Sequence, residues 1–260
     1  MKIDTFEGTG DKKLLLISGL HGDEYNPVVA LRELFIDAKS DFVTDLKSRY
    51  SSITVLHAVN RQGLVNNTRL CEGIDLNRIE DYSSDKLKQF IDDSDVIVDV
   101  HASPKCSTFV LISNNDEASS YVKFCKDFHL NYVVWSDSAA NSTKAYAISK
   151  GKTAFTIECS GIGSVDELSV FLVKSMIKTI SLNAGNYSFD KEIQKATPSF
   201  NVVAPSAGIL QWLSTTECRI INPATLESTD VSLPDSGIPL VWSPSGYVKE
   251  NDFLALIQPL

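Results

Sequence analysis

The stretch Lys13-Leu-Leu-Leu-Ile-Ser-Gly-Leu-His-Gly-Asp-Glu24 decides the fold. An unbroken apolar run of this length predicts a strand buried on both faces, because a strand with one wet face alternates apolar and polar residues. Just past it, Pro27, favoured in a first helical turn, opens a helix through Val28-Val-Ala-Leu-Arg-Glu-Leu-Phe35. The same strand-then-helix pattern recurs outward. Ile53 to Val59, Val96 to Val100, Thr108 to Ile112, Tyr132 to Trp135 and Thr153 to Ile157 read as extended. Helices are expected from Ser84, a capping residue, to Ile91, from Glu117 to Asp127, and from Asp166 to Leu182. The last of these shows apolar residues recurring at Leu168, Phe171, Leu172, Ser175-Met176 and Ile180. Strands alternating with helices predict an α/β domain over residues 1–190, with a mixed sheet flanked by helices. Beyond about Ser199 the runs become short and are broken by Pro and Gly, which predicts a small β-rich domain over 195–260.

Composition narrows the partners. The 260 residues hold 24 Lys+Arg against 33 Asp+Glu, a net charge of −9, so the clustered cations that grip a phosphate backbone are missing and nucleic acid is not expected. The N-terminus lacks a basic region followed by an apolar core, and the apolar runs are far too short to span a bilayer, so no membrane partner is expected. Five cysteines (Cys71, Cys106, Cys125, Cys159 and Cys218) are scattered without a CxxC pair. That usage fits reduced thiols in a cytoplasm and excludes zinc-ribbon and thioredoxin readings.

Four places set chemically capable residues at the ends of apolar strands, where open α/β sheets gather their ligands. His21 and Glu24 lie at i and i+3 past the first strand, spaced to face one ion, although a solvated loop could show the same pair. His101 directly follows Val98-Asp-Val100, and two ligands close in sequence with a third much later is the pattern of a catalytic zinc site. Asp99 points to the same side of that strand and is a candidate partner for an imidazole N–H. Between them, the connection from Asn60 to Arg78 carries Arg61, Arg69 and Arg78, suited to a carboxylate or a developing oxyanion, or simply paired with surface acids. Finally Glu158 ends the strand Thr153 to Ile157 and could act as general base on a metal-activated water. Cys159 beside it has no suitably placed His to make it a nucleophile. His57, inside a strand, and His129, at a helix end, read as structural.

Taken in order, His21-Gly-Asp-Glu24, Asn66-Asn-Thr-Arg69 with Asp75-Leu-Asn-Arg78, Asp99-Val-His-Ala-Ser103 and Thr156-Ile-Glu-Cys-Ser-Gly161 resemble the succinylglutamate desuccinylase/aspartoacylase family, a branch of the zinc-carboxypeptidase-like fold. The resemblance runs over roughly the first 185 residues, and the tail around Val203 to Leu210 and Val248 to Ile257 is similar to the family's C-terminal β domain. It implies one Zn²⁺ per chain held by His21, Glu24 and His101, with Glu158 as general base. It further implies that Arg69 polarises the scissile carbonyl and that Asn77 and Arg78 grip a substrate carboxylate. A tyrosine of the β domain assists in some relatives, and Tyr247 is the candidate here. Two departures stand out. The segment after Arg78 reads Ile79-Glu-Asp81 rather than an aromatic and Pro. The basic residues before Glu158 are limited to Lys144, Lys150 and Lys152, which disfavours a second substrate carboxylate and leaves Lys144 as the substrate-binding candidate there.

The expected activity is therefore zinc-dependent hydrolysis of the amide bond of an N-acyl amino acid or similar small carboxylate. A metallocarboxypeptidase would use the same Asn77 and Arg78. A non-catalytic carboxylate-binding module would need no general base, and Glu158 argues against it. A homo-oligomer is compatible with all of these. The net negative charge does not repel such a substrate at contact distance, because Zn²⁺, Arg69 and Arg78 would make a local cationic pocket and screening cuts off distant charges beyond about 8–10 Å.

Overall fold

A computed structural model describes residues 1–78, 85–104, 106–113, 118–135, 141–189, 200–203, 208–212, 217–222, 225, 227–232, 237–242, 246–248 and 253–259. Seven strands build the main sheet: β1 (Ile3–Glu7), β2 (Lys12–Ser18), β3 (Tyr50–Leu56), β4 (Val96–Ser103), β5 (Phe109–Ser113), β6 (Tyr132–Trp135) and β7 (Thr153–Ser160). Their order is β1-β3-β2-β4-β7-β5-β6. Strands β3, β2, β4 and β7 run parallel, β1 and β5 pair antiparallel with their neighbours, and β6 is parallel to β5. The sheet is therefore mixed and flanked by helices, as expected. The central strands are buried along their length. Leu14 to Ser18 in β2 and Val96 to Ala102 in β4 are nearly sealed from solvent, which is why they read as unbroken apolar runs.

The helices are α1 (Tyr25–Phe35), α2 (Asp41–Arg49), α3 (Arg61–Asn66), α4 (Asp85–Asp92), α5 (Ala118–Asp127), α6 (Thr143–Ser149) and α7 (Glu167–Asn183). Asp166 caps α7 by accepting from the Ser169 amide, and Ser40 and Ser142 cap α2 and α6 in the same way. In α7 the packing departs from the expected face. The side chains turned to the sheet are Val170, Val173, Met176, Ile177 and Ile180, whereas Leu168, Phe171 and Leu172 point outward. One core cluster lies between the sheet and α1, α2, α5 and α7, and a second holds Leu15, Ile17, Leu56, Leu87, Ile91 and Ala147 on the opposite face.

Tyr50 links the two ends of the first cluster. Its ring is fully buried and its hydroxyl donates to the Ser181 carbonyl at 2.6 Å; burial pushes the phenol up to about 12. Tyr50→Phe leaves that buried carbonyl short of a donor, so urea denaturation should show a loss of about 1–2 kcal/mol.

After α7 the described strands form two antiparallel sheets. One has the order β11 (Ser228–Ser232), β10 (Glu217–Ile221), β9 (Gly208–Trp212) and β13 (Gly246–Val248). The other has β12 (Gly237–Trp242), β14 (Phe253–Pro259) and β8 (Phe200–Val203).

Candidate metal centre

Three neighbouring parallel strands deliver the site at their carboxyl ends. Strand β2 leads through Gly19 into the loop with His21 and Glu24, β4 carries His101 two residues before its end, and β7 places Glu158 directly beside His101 in the strand register. The first loop is fixed by close backbone contact. A Cβ at Gly22 would fall 2.1 Å from the Gly63 carbonyl carbon, so only Gly lets the loop that carries His21 and Glu24 lie on α3. Past Glu158, Gly161 takes φ +103°, and the space its Cβ would need is filled by the Asn26 amide. That amide is buried, donates to the Ser160 carbonyl and accepts from the Asp166 N–H. An isolated bridge from Glu24 to Ile162 and a hydrogen bond from Gly163 N–H to the Asp23 carbonyl at 2.7 Å complete the tie between the two loops.

At the centre, His21, Glu24 and His101 are all buried, and one ligand atom from each lies within 4.8 Å of the others. His21 Nδ1 is 2.7 Å from Glu24 Oε1, and His101 Nδ1 is 3.1 Å from Glu24 Oε2 and 3.2 Å from His21 Nδ1. The outer nitrogens are held by carboxylates. His21 Nε2 donates to Asp75 Oδ1 at 3.0 Å and His101 Nε2 donates to Asp99 Oδ2 at 2.8 Å. With Nε2 protonated in each ring, two imidazole lone pairs and a carboxylate converge on one point with no hydrogen to share between them. That donor set, two nitrogens and a carboxylate backed by second carboxylates, suits a divalent zinc-type cation.

The electrostatics agree. Burial alone would discharge His101, but Asp99 and Glu24 outweigh it and hold the imidazolium well above the usual histidine range. Burial would likewise raise Glu24, yet His101 and His21 pull it down to about 2. The cluster thus demands positive charge at its centre, whether as a proton or a metal ion.

Around this centre the other expected residues fall as follows. Glu158 is pushed up to about 7, chiefly by burial and further by the Glu24 charge, against His101 and the Ser103 hydroxyl, which donates to its Oε2 at 3.0 Å. Arg69 reaches the rim, with Nη1 3.7 Å from Glu24 Oε1 and Nη2 3.4 Å from Asp75 Oδ2. Its backbone carbonyl accepts from Gly22 N–H and from the Asn60 amide. Beside it opens a cavity of about 410 Å³ lined by Gln62, Asn66, Thr68 and Leu70. The Asn77 side chain accepts from the Thr143 N–H at 2.9 Å, and Arg78 Nη1 donates to the Asn77 carbonyl. Lys144 is buried, donating to the Leu111 carbonyl with its ammonium 5.7 Å from the Tyr121 ring centre. Tyr247 lies on β13 opposite Ile209, and its side chain is outside the described residues.

Two expectations about nearby groups also find their place. Cys159 donates to the His101 carbonyl and burial pushes its thiol up, which leaves little thiolate for nucleophilic work. His57 is buried against Asp4, 2.8 Å from its Oδ2. The residues that sequence reasoning missed are Asp75, which orients His21, and Ser103, which orients Glu158. Both sit inside motifs quoted for other members, but nothing local marks a contact spanning 54 or 55 positions.

Among known proteins, the succinylglutamate desuccinylase/aspartoacylase catalytic domain matches residues 10–181. The chain belongs to this family. Solved structures of similar fold include the product-bound ectoine utilization protein EutE (DoeB) of Ruegeria pomeroyi, with TM-score 0.78 and 17% identity over 98% of this chain and 87% of that one. A succinylglutamate desuccinylase/aspartoacylase from Rhodobacter sphaeroides gives TM-score 0.78 at 16% identity, covering 99% and 88% of the two chains. A succinylglutamate desuccinylase from Silicibacter sp. TM1040 gives 0.75 at 18%, covering 98% and 87%. No curated protein sequence matches the chain. Among the described residues no helix is long and apolar enough to cross a membrane.

The pairing of each imidazole with a carboxylate has a measurable consequence. Asp99→Asn turns an acceptor into a group that no longer enforces the Nε2–H tautomer of His101. Zinc affinity should fall about 10–100-fold in a competition titration against a chromogenic chelator, with the fold retained.

Proposed function

We propose that the chain is a zinc-dependent hydrolase that cleaves the amide bond of an N-acyl amino acid or a similar small carboxylate. The observation that carries this reading is the convergence of His21, Glu24 and His101 beside an unligated, partly buried Glu158 at the same strand level. The names of relatives, a desuccinylase and an aspartoacylase, support the same bond type. In this reading residues 1–190 form the catalytic domain, 195–260 a β domain, and the protein works in the cytoplasm.

One Zn²⁺ per chain, held by His21, Glu24 and His101, would supply Lewis acidity toward water and toward a carbonyl oxygen. Glu158 takes the proton of the attacking water and passes it to the departing nitrogen. A carboxyl poised near neutrality suits both halves of that transfer. Arg69, held at the rim by Glu24 and Asp75, offers its guanidinium to the negative charge that builds on the carbonyl oxygen. Asn77 and Arg78 bind the substrate carboxylate, with Tyr247 as a further contact.

The test is a panel of N-acyl amino acids of varied acyl length together with short peptides, run with and without added zinc. Release of a free carboxylic acid and an amino acid from the acylated compounds is the expected result. Release of C-terminal residues from peptides would replace the deacylase reading with a carboxypeptidase, and binding without turnover would reduce the site to a carboxylate receptor.

A further inference from the structure

We propose that the outward face of α7 is the self-docking surface of a two-fold homodimer in which the α7 helices of two copies pack antiparallel. The helix carries two apolar stripes. One is buried on the sheet. The other runs through Val165 just before the helix, then Leu168, Phe171 and Leu172, which are 56%, 65%, 63% and 36% exposed. A helix that is apolar on both sides belongs in an interior. These four side chains together expose on the order of 400 Å², the size at which a contiguous patch marks an interaction surface and about half of one partner's share in a standard interface.

Charge selects the occupant. Glu167 and Lys178 are both exposed and stand about three helical turns apart, on the same flank of the outward face. An antiparallel two-fold keeps each flank on its own side and reverses the order along it. Glu167 of one copy then meets Lys178 of the second, and the pair forms twice. Parallel packing would carry the flank of the second copy to the opposite side, so neither charge would meet its opposite. The axis falls near Leu172, so Phe171 and Leu172 meet at the centre while Leu168 faces the small Ser175, a ridge against a groove. Lys178 is exposed, with its ammonium 5.7 Å from the centre of the Phe42 ring. Asp166 and Glu167 beside the patch, on a chain of net charge −9, work against an anionic lipid surface as the alternative occupant.

Sedimentation equilibrium of the full chain from about 1 to 100 μM, the dissociation range of modest interfaces, reads this directly. The wild type should approach twice the chain mass. Phe171→Asp, a change on the exposed face, should raise the dissociation constant about 100-fold or more with an unchanged melting curve, because it places a carboxylate at the interface centre. Glu167→Lys and Lys178→Glu should each weaken the dimer about 10-fold, and the double variant should recover most of the loss. A monomer throughout the range overturns the proposal. So does a dimer indifferent to Phe171→Asp, or a double variant as weak as the two losses combined.

Discussion

Glu158→Gln is expected to lower kcat/KM by about 10²–10⁴ while leaving zinc bound at one per chain. The substitution keeps the size of the side chain and its ability to accept from the Ser103 hydroxyl, so the strand end should not move. What it removes is the ability to take a proton. Glu158 supplies none of the three converging ligand atoms, which is why metal content should stay intact. Its environment also suits it, rather than Glu24, to the proposed role of base. Both carboxylates are close to His101, yet Glu24 lies between two imidazoles and is pulled down to about 2, whereas burial pushes Glu158 up to about 7. Two glutamates of one site are thereby separated into a permanent anion and a proton carrier. Steady-state kinetics on a substrate from the N-acyl panel, paired with metal analysis of the same preparation, checks the expectation. Undiminished turnover in zinc-replete Glu158→Gln would remove the carboxylate from the mechanism.

The parts of the fold legible in the sequence are those whose environment is uniform. Strands β2, β4 and β7 are covered on both faces, so burial alone dictates their composition. Strand β1 is an edge strand with a half-exposed pattern, and only its pairing with β3 makes it a strand. Helices α2, α3 and α6 are six to nine residues long, too short for periodicity to separate them from loops, and their caps become meaningful only in three dimensions. Helix α7 shows a different limit. Val170, Val173, Ile177 and Ile180 form one stripe and Leu168, Phe171 and Leu172 another, and periodicity cannot tell which meets the sheet. In the candidate site, His21, His101 and Glu158 could be marked because each directly follows an apolar run, and Glu24 because it stands three residues after His21. Asp75 could not, since it reaches His21 from a long polar connection whose course no local signal predicts.

Removal of the metal should produce the other large effect, on turnover and stability together. Among the described residues the only cluster suited to a metal is His21, Glu24 and His101, and all three side chains are buried. Dialysis against a chelator should abolish turnover, and restored zinc should return it. Stability should fall as well, because an ion that binds only the folded chain contributes about 4 kcal/mol when its free concentration is 1,000 times the dissociation constant. The chain should nevertheless stay folded without it. Protonated His101 between Asp99 and Glu24 supplies positive charge in place of the ion, so the three-ligand centre is not left as an unpaired buried anion. His101→Ala withdraws that second resort along with a ligand. It leaves Glu24 and Asp99 facing a void in the middle of β4, and should therefore melt lower than the chelated wild type as well as lacking activity. Thermal melts of zinc-loaded wild type, chelated wild type and His101→Ala should fall in that descending order. A chelated wild type that melts with the zinc-loaded protein and turns over at the same rate would show that no structural or catalytic zinc resides there.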